Sequence, residues 1–358
     1  MVQLAAGLQH SLVVRDGQVL RTGVRNGRLL PKPGDWDLTL GPVPGLEAHH
    51  AVGVSAGFHH SLVLTDTGTV LGFGTSQFGQ LGLGVFNDVE VLPTVIPLPD
   101  GLRARAIAAG WFHSLVLDEH GGVWGFGLGK HHQLGVGRKT PDNPTPQRLP
   151  LDRSVVVSAL GAGSTHSALL TNDGALYTFG RGNAGALGCK PAREQRTPKR
   201  VDDVPPLMAV ALGVNHTLAL TVTGQLLACG DGARGQLGFR ATRLCPTLTP
   251  IAGLAGQRVT RIAAGRSHSA AVTEDGQLFT FGWGAFGALG HGDAEDAHEP
   301  RRVQALEGQR VVDVAAGHGH TLALTESGQV FAWGDGARGA TGLGQEERTF
   351  APRPVFTR

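Results

Sequence analysis

Cysteine is scarce: the 358-residue chain has three, Cys189, Cys229 and Cys245. An odd count without C-x-x-C spacing argues against both a disulfide framework and a zinc cluster. It points to a reducing compartment, the cytosol or the nucleus. Charge is also low, at 17% Asp, Glu, Lys and Arg against 41% hydrophobic residues, and the formal net charge is +2. A chain this apolar is not a disordered tail, and so small a net charge does not demand a nucleic-acid partner. No stretch approaches the ~20 consecutive apolar residues of a spanning helix. The start, Met1-Val2-Gln3-Leu4-Ala5-Ala6-Gly7, lacks a basic segment followed by a long apolar run, so no secretory signal is expected. Glycine, by contrast, is in excess: 55 residues, roughly twice its usual ~7% share. It has no collagen period. In a folded chain it asks for many tight turns, and hence many short strands.

The glycines belong to a repeat. A small residue, Gly, two variable residues, His, then Ser or Thr occurs seven times, with the histidines at His10, His60, His113, His166, His216, His268 and His320. The copies are 50 to 53 residues apart. An aliphatic residue lies three positions before each Gly, and a short apolar run such as Leu62-Val63-Leu64 follows each His, the pattern of a strand buried on both faces. A turn such as Thr65-Asp66-Thr67-Gly68 comes next, then a third strand ending in aromatic-Gly, as in Phe73-Gly74 or Trp333-Gly334. Cys229-Gly230 fills that slot in the fifth copy, which makes Cys229 a core residue. A Gly-rich loop such as Gln77-Phe78-Gly79-Gln80-Leu81-Gly82 leads to a Pro-x-x-aliphatic segment (Pro93…Ile96, Pro300…Val303), read as the start of a fourth, outer strand.

Four antiparallel strands in about 50 residues, seven times over, is the arithmetic of a β-propeller. The fold class is therefore all-β: a seven-bladed propeller over residues 1–358, each blade burying its faces against its neighbours. Kelch repeats share this period but carry spaced tyrosines, and this chain has one tyrosine. The first copy has no Pro-x-x-aliphatic segment of its own, whereas Pro352-Arg353-Pro354-Val355 matches Pro300-Arg301-Arg302-Val303. The ring is accordingly expected to close by the C-terminal strand completing the first blade.

The Gly-x-x-His-Ser/Thr turns, the aromatic-Gly pairs and the Gly-Gln-Leu-Gly-type loops resemble RCC1 repeats along the whole chain. The resemblance implies a seven-bladed propeller and leaves function open, because family members include an exchange factor for the GTPase Ran, photoreceptors, ubiquitin-ligase modules and scaffolds. The Ran exchange factor carries acidic residues in the Gly-x-x-His turns and inserts a β-wedge. The variable slots here, from Leu8-Gln9 to His318-Gly319, hold no carboxylate, and the even spacing leaves no room for an extra hairpin. The ultraviolet photoreceptor relies on clustered tryptophans, and Trp36, Trp111, Trp124, Trp283 and Trp333 form no cluster in the sequence.

Strand parity puts the Gly-x-x-His turns and the Gly-rich loops on one face of the ring and the turns between second and third strands on the other. The second face collects Asp16, Asp66, Glu119, Asp173, Glu274, Asp275 and Glu326 and is expected to be acidic. The first face collects Arg25, Lys130, Arg181, Arg234, Arg266, His318 and Arg338, with His59 beside Phe58 and the aromatics Trp111 and Phe112 on the next copy. Exposed aromatics beside arginines match the composition of interface cores. The expected site is thus a partner-binding face made of Phe58, His59, Trp111, Phe112, Lys130, Arg181, Arg234, Arg266, His318 and Arg338. It would take a protein carrying an acidic or phosphorylated patch. The alternative is that the aromatics turn inward and plug the central funnel.

The repeat histidines lie on different blades, too far apart to share one metal ion at ~2.0–2.1 Å, so each is expected to satisfy backbone groups near its turn. Gly282-Trp283-Gly284-Ala285-Phe286-Gly287 matches the dinucleotide-binding glycine pattern, but it is a repeat loop with no helix after it. No catalytic triad, paired-carboxylate motif or P-loop is present. The expected function is a non-enzymatic interaction or scaffold propeller, monomeric and without cofactor or metal. The alternatives are a regulator or exchange factor of a small GTPase, or an architectural subunit of a large assembly. The first copy departs from the others between Arg25 and Gly45, where Trp36 sits between two aspartates in a Pro/Gly-rich stretch. A long loop on a rigid scaffold often carries function.

Overall fold

The apolar run after each repeat histidine is short and bounded by turn residues, and it buries both faces by becoming the second strand of a sheet. In the computed structural model, which describes residues 2–24, 34–137, 141–190, 193–240 and 244–355, each repeat is a four-stranded antiparallel sheet in sequential strand order, giving seven blades. The second strands of blades 2 to 7, such as His60–Thr65 and His216–Thr221, are buried at every position. The first strands, such as Ala51–Ala56, line the central channel. The core is divided among seven hydrophobic clusters, one at each seam between neighbouring blades. At the seam of blades 2 and 3, Leu62, Leu64, Val70 and Ile96 meet Ala104, Val116 and Phe126. Cys229 is fully buried, as its slot implied.

The ring does not close as expected. The C-terminal strand Thr349–Pro354 pairs with Val330–Gly334 of its own repeat and completes blade 7. Blade 1 has its own outer strand, Trp36–Pro42, paired with Gln18–Val24. The reason lies in which residue anchors the outer strand. The backbone N–H of Val43 donates to the Val19 carbonyl at 3.1 Å, as Val303 does to Leu278 and Val355 to Val330. The buried aliphatic residue is the constant feature, and the proline that precedes it shifts between copies. Nor do the prolines start the outer strands: Pro146, Pro198, Pro300 and Pro352 lie inside Asn143–Arg148, Gln195–Arg200, Ala297–Arg302 and Thr349–Pro354. An edge position tolerates this, because no further strand needs the missing N–H. Trp36 opens the outer strand of blade 1 and donates its indole N–H to Glu346 of blade 7 at 3.0 Å, which ties two blades together.

The repeat histidines hold the blades to one another. Each Nε2 meets the Ser or Thr hydroxyl of the next repeat: His10 with Ser61, His60 with Ser114, His113 with Ser167, His166 with Thr217, His216 with Ser269, His268 with Thr321, and His320 with Ser11. The last pair completes the circle, and the distances run from 2.8 to 3.0 Å. Six of these hydroxyls also donate to a loop carbonyl of the preceding blade, as Ser114 does to Gln80 at 2.7 Å. A hydroxyl has one proton to give, so the histidine must be the donor and carries its proton on Nε2. The adjacent glycine explains the rest of the motif. A Cβ on Gly57 would lie 2.3 Å from the His60 ring and 2.4 Å from the Gly110 carbonyl oxygen, so only glycine lets the imidazole lie flat at the seam. The histidines therefore serve side-chain hydroxyls of the neighbouring repeat rather than backbone groups of their own turn.

Burial holds His10, His60, His113, His216 and His320 down to about 3 and His166 and His268 to about 4. The Nδ1 atoms of His60, His113, His216 and His320 are buried without a hydrogen-bond partner, so a proton there would have no acceptor. Because these values lie below that of an unfolded histidine, near 6.5, the unfolded chain takes up protons first. Stability is complete above about pH 6.5 and falls as the pH drops toward 4, by about 1.4 kcal/mol per pH unit for each such histidine. The melting temperature is expected to be flat above pH 7 and to fall steeply between pH 6.5 and 4; a profile flat down to pH 4.5 would contradict this account. Removing one hydroxyl by Ser114→Ala strands both the His60 Nε2–H and the Gln80 carbonyl and should cost roughly 3 kcal/mol. Ser114→Thr should be nearly neutral, since Thr217 and Thr321 fill the same slot. Urea melts of the two variants check both expectations.

Candidate partner-binding face

The Gly-x-x-His turn presents its two variable residues at the top of the channel because the glycine and histidine on either side are fixed in the seam. Neighbouring turns touch: the Phe58 N–H donates to the Trp111 carbonyl at 3.1 Å, and the Trp111 N–H to that of Gly163 at 3.0 Å. Phe58, Trp111, Arg266 and His318 line one end of the channel, whose cavity is about 240 Å³. The Phe58 ring lies 4.7 Å from Trp111, 5.0 Å from Phe112 and 6.2 Å from His318, so side chains of blades 2, 3 and 7 meet across the mouth. These aromatics do turn inward, yet Phe58, Trp111 and Phe112 all remain half-buried rather than sealed. The aromatics form an apolar floor at the mouth of the channel that still faces solvent.

Arginines surround that floor. Arg266 donates to His318 Nε2 at 3.0 Å and stacks over Trp283 at 5.2 Å from the ring centre. Arg234 covers the same ring at 5.6 Å and reaches Asp296 at 3.4 Å. Arg338, in left-handed backbone conformation, donates to Gln9 and adds its charge beside buried His59. Burial, with the Arg338 charge, lowers His59 to about 4; burial, with Arg266, does the same for His318. Both imidazoles are neutral at physiological pH, and His318 accepts from Arg266 only in that state.

Of the residues singled out from sequence, Phe58, His59, Trp111, Phe112, Arg266, His318, Arg234 and Arg338 gather at or around the mouth. Lys130 and Arg181 do not. They are exposed on blades 3 and 4, where their charges act on His131. Arg25 lies outside the described residues. Sequence reading missed Phe78, Trp283, Phe286 and Arg348. Phe78 meets Phe112 at 5.0 Å, Trp283 meets Phe286 at 4.7 Å, and Arg348 covers Phe286 at 4.8 Å. Part of the signal was available in one column of the repeat, which reads Phe78, His131, Ala184, Arg234, Phe286 and Arg338 in successive copies from the second. It precedes a glycine in all but the third copy, where His132 stands; Trp283 and Arg348 lie outside it.

The opposite face is less acidic than the count of carboxylates implied. Glu274 pairs with Arg258 at 3.3 Å and Glu326 with Arg310 at 3.5 Å, the arginines coming from the segment before each first strand. Cys189, Cys229 and Cys245 are free thiols. Among the described residues no three metal-ligating side chains converge, and no helix is long and apolar enough to cross a membrane.

A family model of the RCC1-like domain matches residues 1–321, and one of the regulator of chromosome condensation (RCC1) repeat matches residues 311–340. The chain belongs to the RCC1-like propeller family. This RCC1-like propeller is 32% identical over 357 residues to the ultraviolet-B receptor UVR8 of Arabidopsis thaliana, covering 97% of this chain and 80% of the receptor. It is 36% identical over 303 residues to the X-linked retinitis pigmentosa GTPase regulator of Mus musculus, covering 83% of this chain and 30% of that protein. Similarity to the human E3 ubiquitin-protein ligase HERC2 is 31% over 320 residues, 88% of this chain but 7% of the ligase. Among solved structures, Prp20p of Saccharomyces cerevisiae, described with its binding to Gsp1p and histones, superposes with a TM-score of 0.84. It is 24% identical, over 96% of this chain and 87% of that one, a likeness of fold.

A histidine NMR titration checks the electrostatics of the mouth. His318 and His59 should titrate near pH 4, and Arg266→Ala should raise the His318 midpoint. A His318 midpoint near 6.5 in the unaltered protein would refute the buried, arginine-facing placement.

Proposed function

We propose that this RCC1-like propeller is a non-enzymatic protein-interaction module that takes its partner on the face carrying the Gly-x-x-His turns. The observation that carries the reading is the half-buried aromatic floor formed by Phe58, Trp111 and Phe112, ringed by Arg266, Arg234 and Arg338. Aromatic and arginine side chains are the residue types that dominate interface energetics, and here they occupy positions that the fold leaves free to vary. The stacked arginines favour an acidic or phosphorylated partner surface. The propeller needs no cofactor or metal for this role, and its free thiols suit a reducing compartment, the cytosol or the nucleus.

A second reading, regulation of a small GTPase, is favoured by the similarity to the GTPase regulator of the mouse. Against the Ran-type version of it stands the absence of any carboxylate in the variable turn slots. The first reading is tested by affinity purification with quantitative mass spectrometry. Trp111→Ala with Arg266→Ala should lose the principal partner at least tenfold while the melting transition stays in place. Undiminished capture would count against this face. Accelerated nucleotide release from any member of a purified GTPase panel would move the conclusion to the second reading.

A further inference from the structure

The small net charge of +2 conceals a polarised surface. The stretch from the third strand through the outer strand of blade 4, residues 181–200, has six cations and one carboxylate: Arg181, Lys190, Arg193, Arg196, Lys199 and Arg200 against Glu194. The equivalent stretch of blade 6, residues 283–302, has two cations and four carboxylates. The equivalent stretch of blade 2, residues 75–94, has two carboxylates and no cation.

Pairing sharpens the contrast. On blades 5 to 7 four of the arginines are matched: Arg301 with Asp293 at 3.0 Å, Arg234 with Asp296 at 3.4 Å, Arg302 with Glu307 at 3.6 Å and Arg348 with Asp335 at 3.9 Å. On blade 4 all six cations are exposed, and none lies within 4.0 Å of a carboxylate among the described residues. The one carboxylate of the stretch, Glu194, faces His132 at 3.7 Å. Asp142 of blade 3 accepts from the Gly129 N–H. Asp173, the carboxylate on which Arg200 acts, belongs to the opposite face. The upper part of the patch is continuous with blade 3, because the Gly137 N–H donates to the Arg196 carbonyl at 3.0 Å and Lys130 lies beside Arg181 in its action on His131.

We propose that the cationic rim formed by Lys130, Arg181, Lys190, Arg193 and Arg196 receives an acidic stretch of the partner that runs outward from an apolar anchor seated on the aromatic floor at the channel mouth. This rests on the reading of that face given above and adds the order of chemistry along the partner: a hydrophobic residue or two, then several carboxylates running outward over blades 3 and 4. A protein segment fits better than a nucleic acid. The equivalent stretch of blade 5, residues 231–250, has three cations and one carboxylate, so the basic sector runs over blades 3 to 5. It is bounded by the acidic stretches of blades 2 and 6, which disfavour a polyanion long enough to cross the ring. The aromatic floor inward of the rim supplies apolar contact that a duplex backbone cannot use.

The test uses fluorescein-labelled peptides and polarisation. One peptide has a Leu-Phe anchor followed by six glutamates, a second the same anchor followed by six glutamines, and a 20-base-pair DNA duplex serves as the other polyanion. The glutamate peptide should bind the unaltered protein, weaken about tenfold with Arg181→Glu plus Arg196→Glu, and weaken further as salt rises from 50 to 300 mM. The glutamine peptide should bind less tightly, ignore the charge reversal and be lost with Trp111→Ala. Both reversed side chains are exposed, so an unchanged melting curve controls for folding. If the charge reversal leaves the glutamate peptide unaffected, the rim proposal is overturned while the mouth stands. If Trp111→Ala changes neither peptide, the mouth reading fails independently of the rim. No binding of the glutamate peptide, or tighter and equally reversal-sensitive binding of the duplex, also overturns the proposal, the latter in favour of a nucleic-acid partner.

Discussion

One hydrogen bond, made seven times, organises this molecule: a neutral imidazole of one blade meets the hydroxyl of the next. It dictates the glycine before it, since a side chain there would occupy the ring's place. It dictates the hydroxyl after it, which in six of the seven blades both accepts from the imidazole and donates to the preceding loop. It also orients the loop, whose last glycine must clear the neighbouring aromatic. A Cβ on Gly135 would stand 2.7 Å from the Phe179 ring, and its φ of +67° disfavours other residues as well. Polar specificity and apolar packing are thus set by the same few positions. The hydrogen bond fixes the angle between blades, and the seam clusters supply most of the driving force.

Much of this was legible in the sequence because a repeat is its own comparison. Seven aligned copies identified the strands, the turns, the buried second strand and the core role of Cys229. What the copies could not reveal was where each conserved polar group finds its partner. His60 and Ser61 are adjacent in the chain, yet each is bonded to a different neighbouring blade, His60 to Ser114 and Ser61 to His10. The contact is 54 residues long in sequence and invisible to local patterning. Closure was misread for a related reason. Proline looked like the marker of the outer strand, whereas the buried aliphatic that follows it bears the constraint, and Val43 satisfies it without the usual spacing.

The candidate face was legible only in part. Strand parity put the variable turn residues on one side of the ring, and the structure brings Phe58, Trp111 and His318 together there from blades 2, 3 and 7. Trp283 and Phe286 were passed over because their loop was recognised as a repeat element and its side chains were discounted with it. Scaffold and surface alternate within this chain at single-residue spacing. Gly265 and His268 are held by the seam, while Arg266 between them meets the channel mouth. A repeat motif accordingly constrains some of its columns tightly and leaves others free to differ. The differences, more than the shared residues, carry whatever individuality the protein has.

The joint between blades 7 and 1 repeats the main contacts of the others and adds the Trp36–Glu346 hydrogen bond. His320 meets Ser11, the Gly344 N–H donates to the Leu38 carbonyl as that of Gly292 does to Phe350, and an apolar cluster fills the seam. Among the described residues no strand is lent across it. The number of blades is then a matter of wedge angle rather than topology: seven similar joints close when each turns the chain by one-seventh of a circle. A change that altered that angle slightly at every seam would be felt as mismatch at all of them at once, with no single place where the strain could be released.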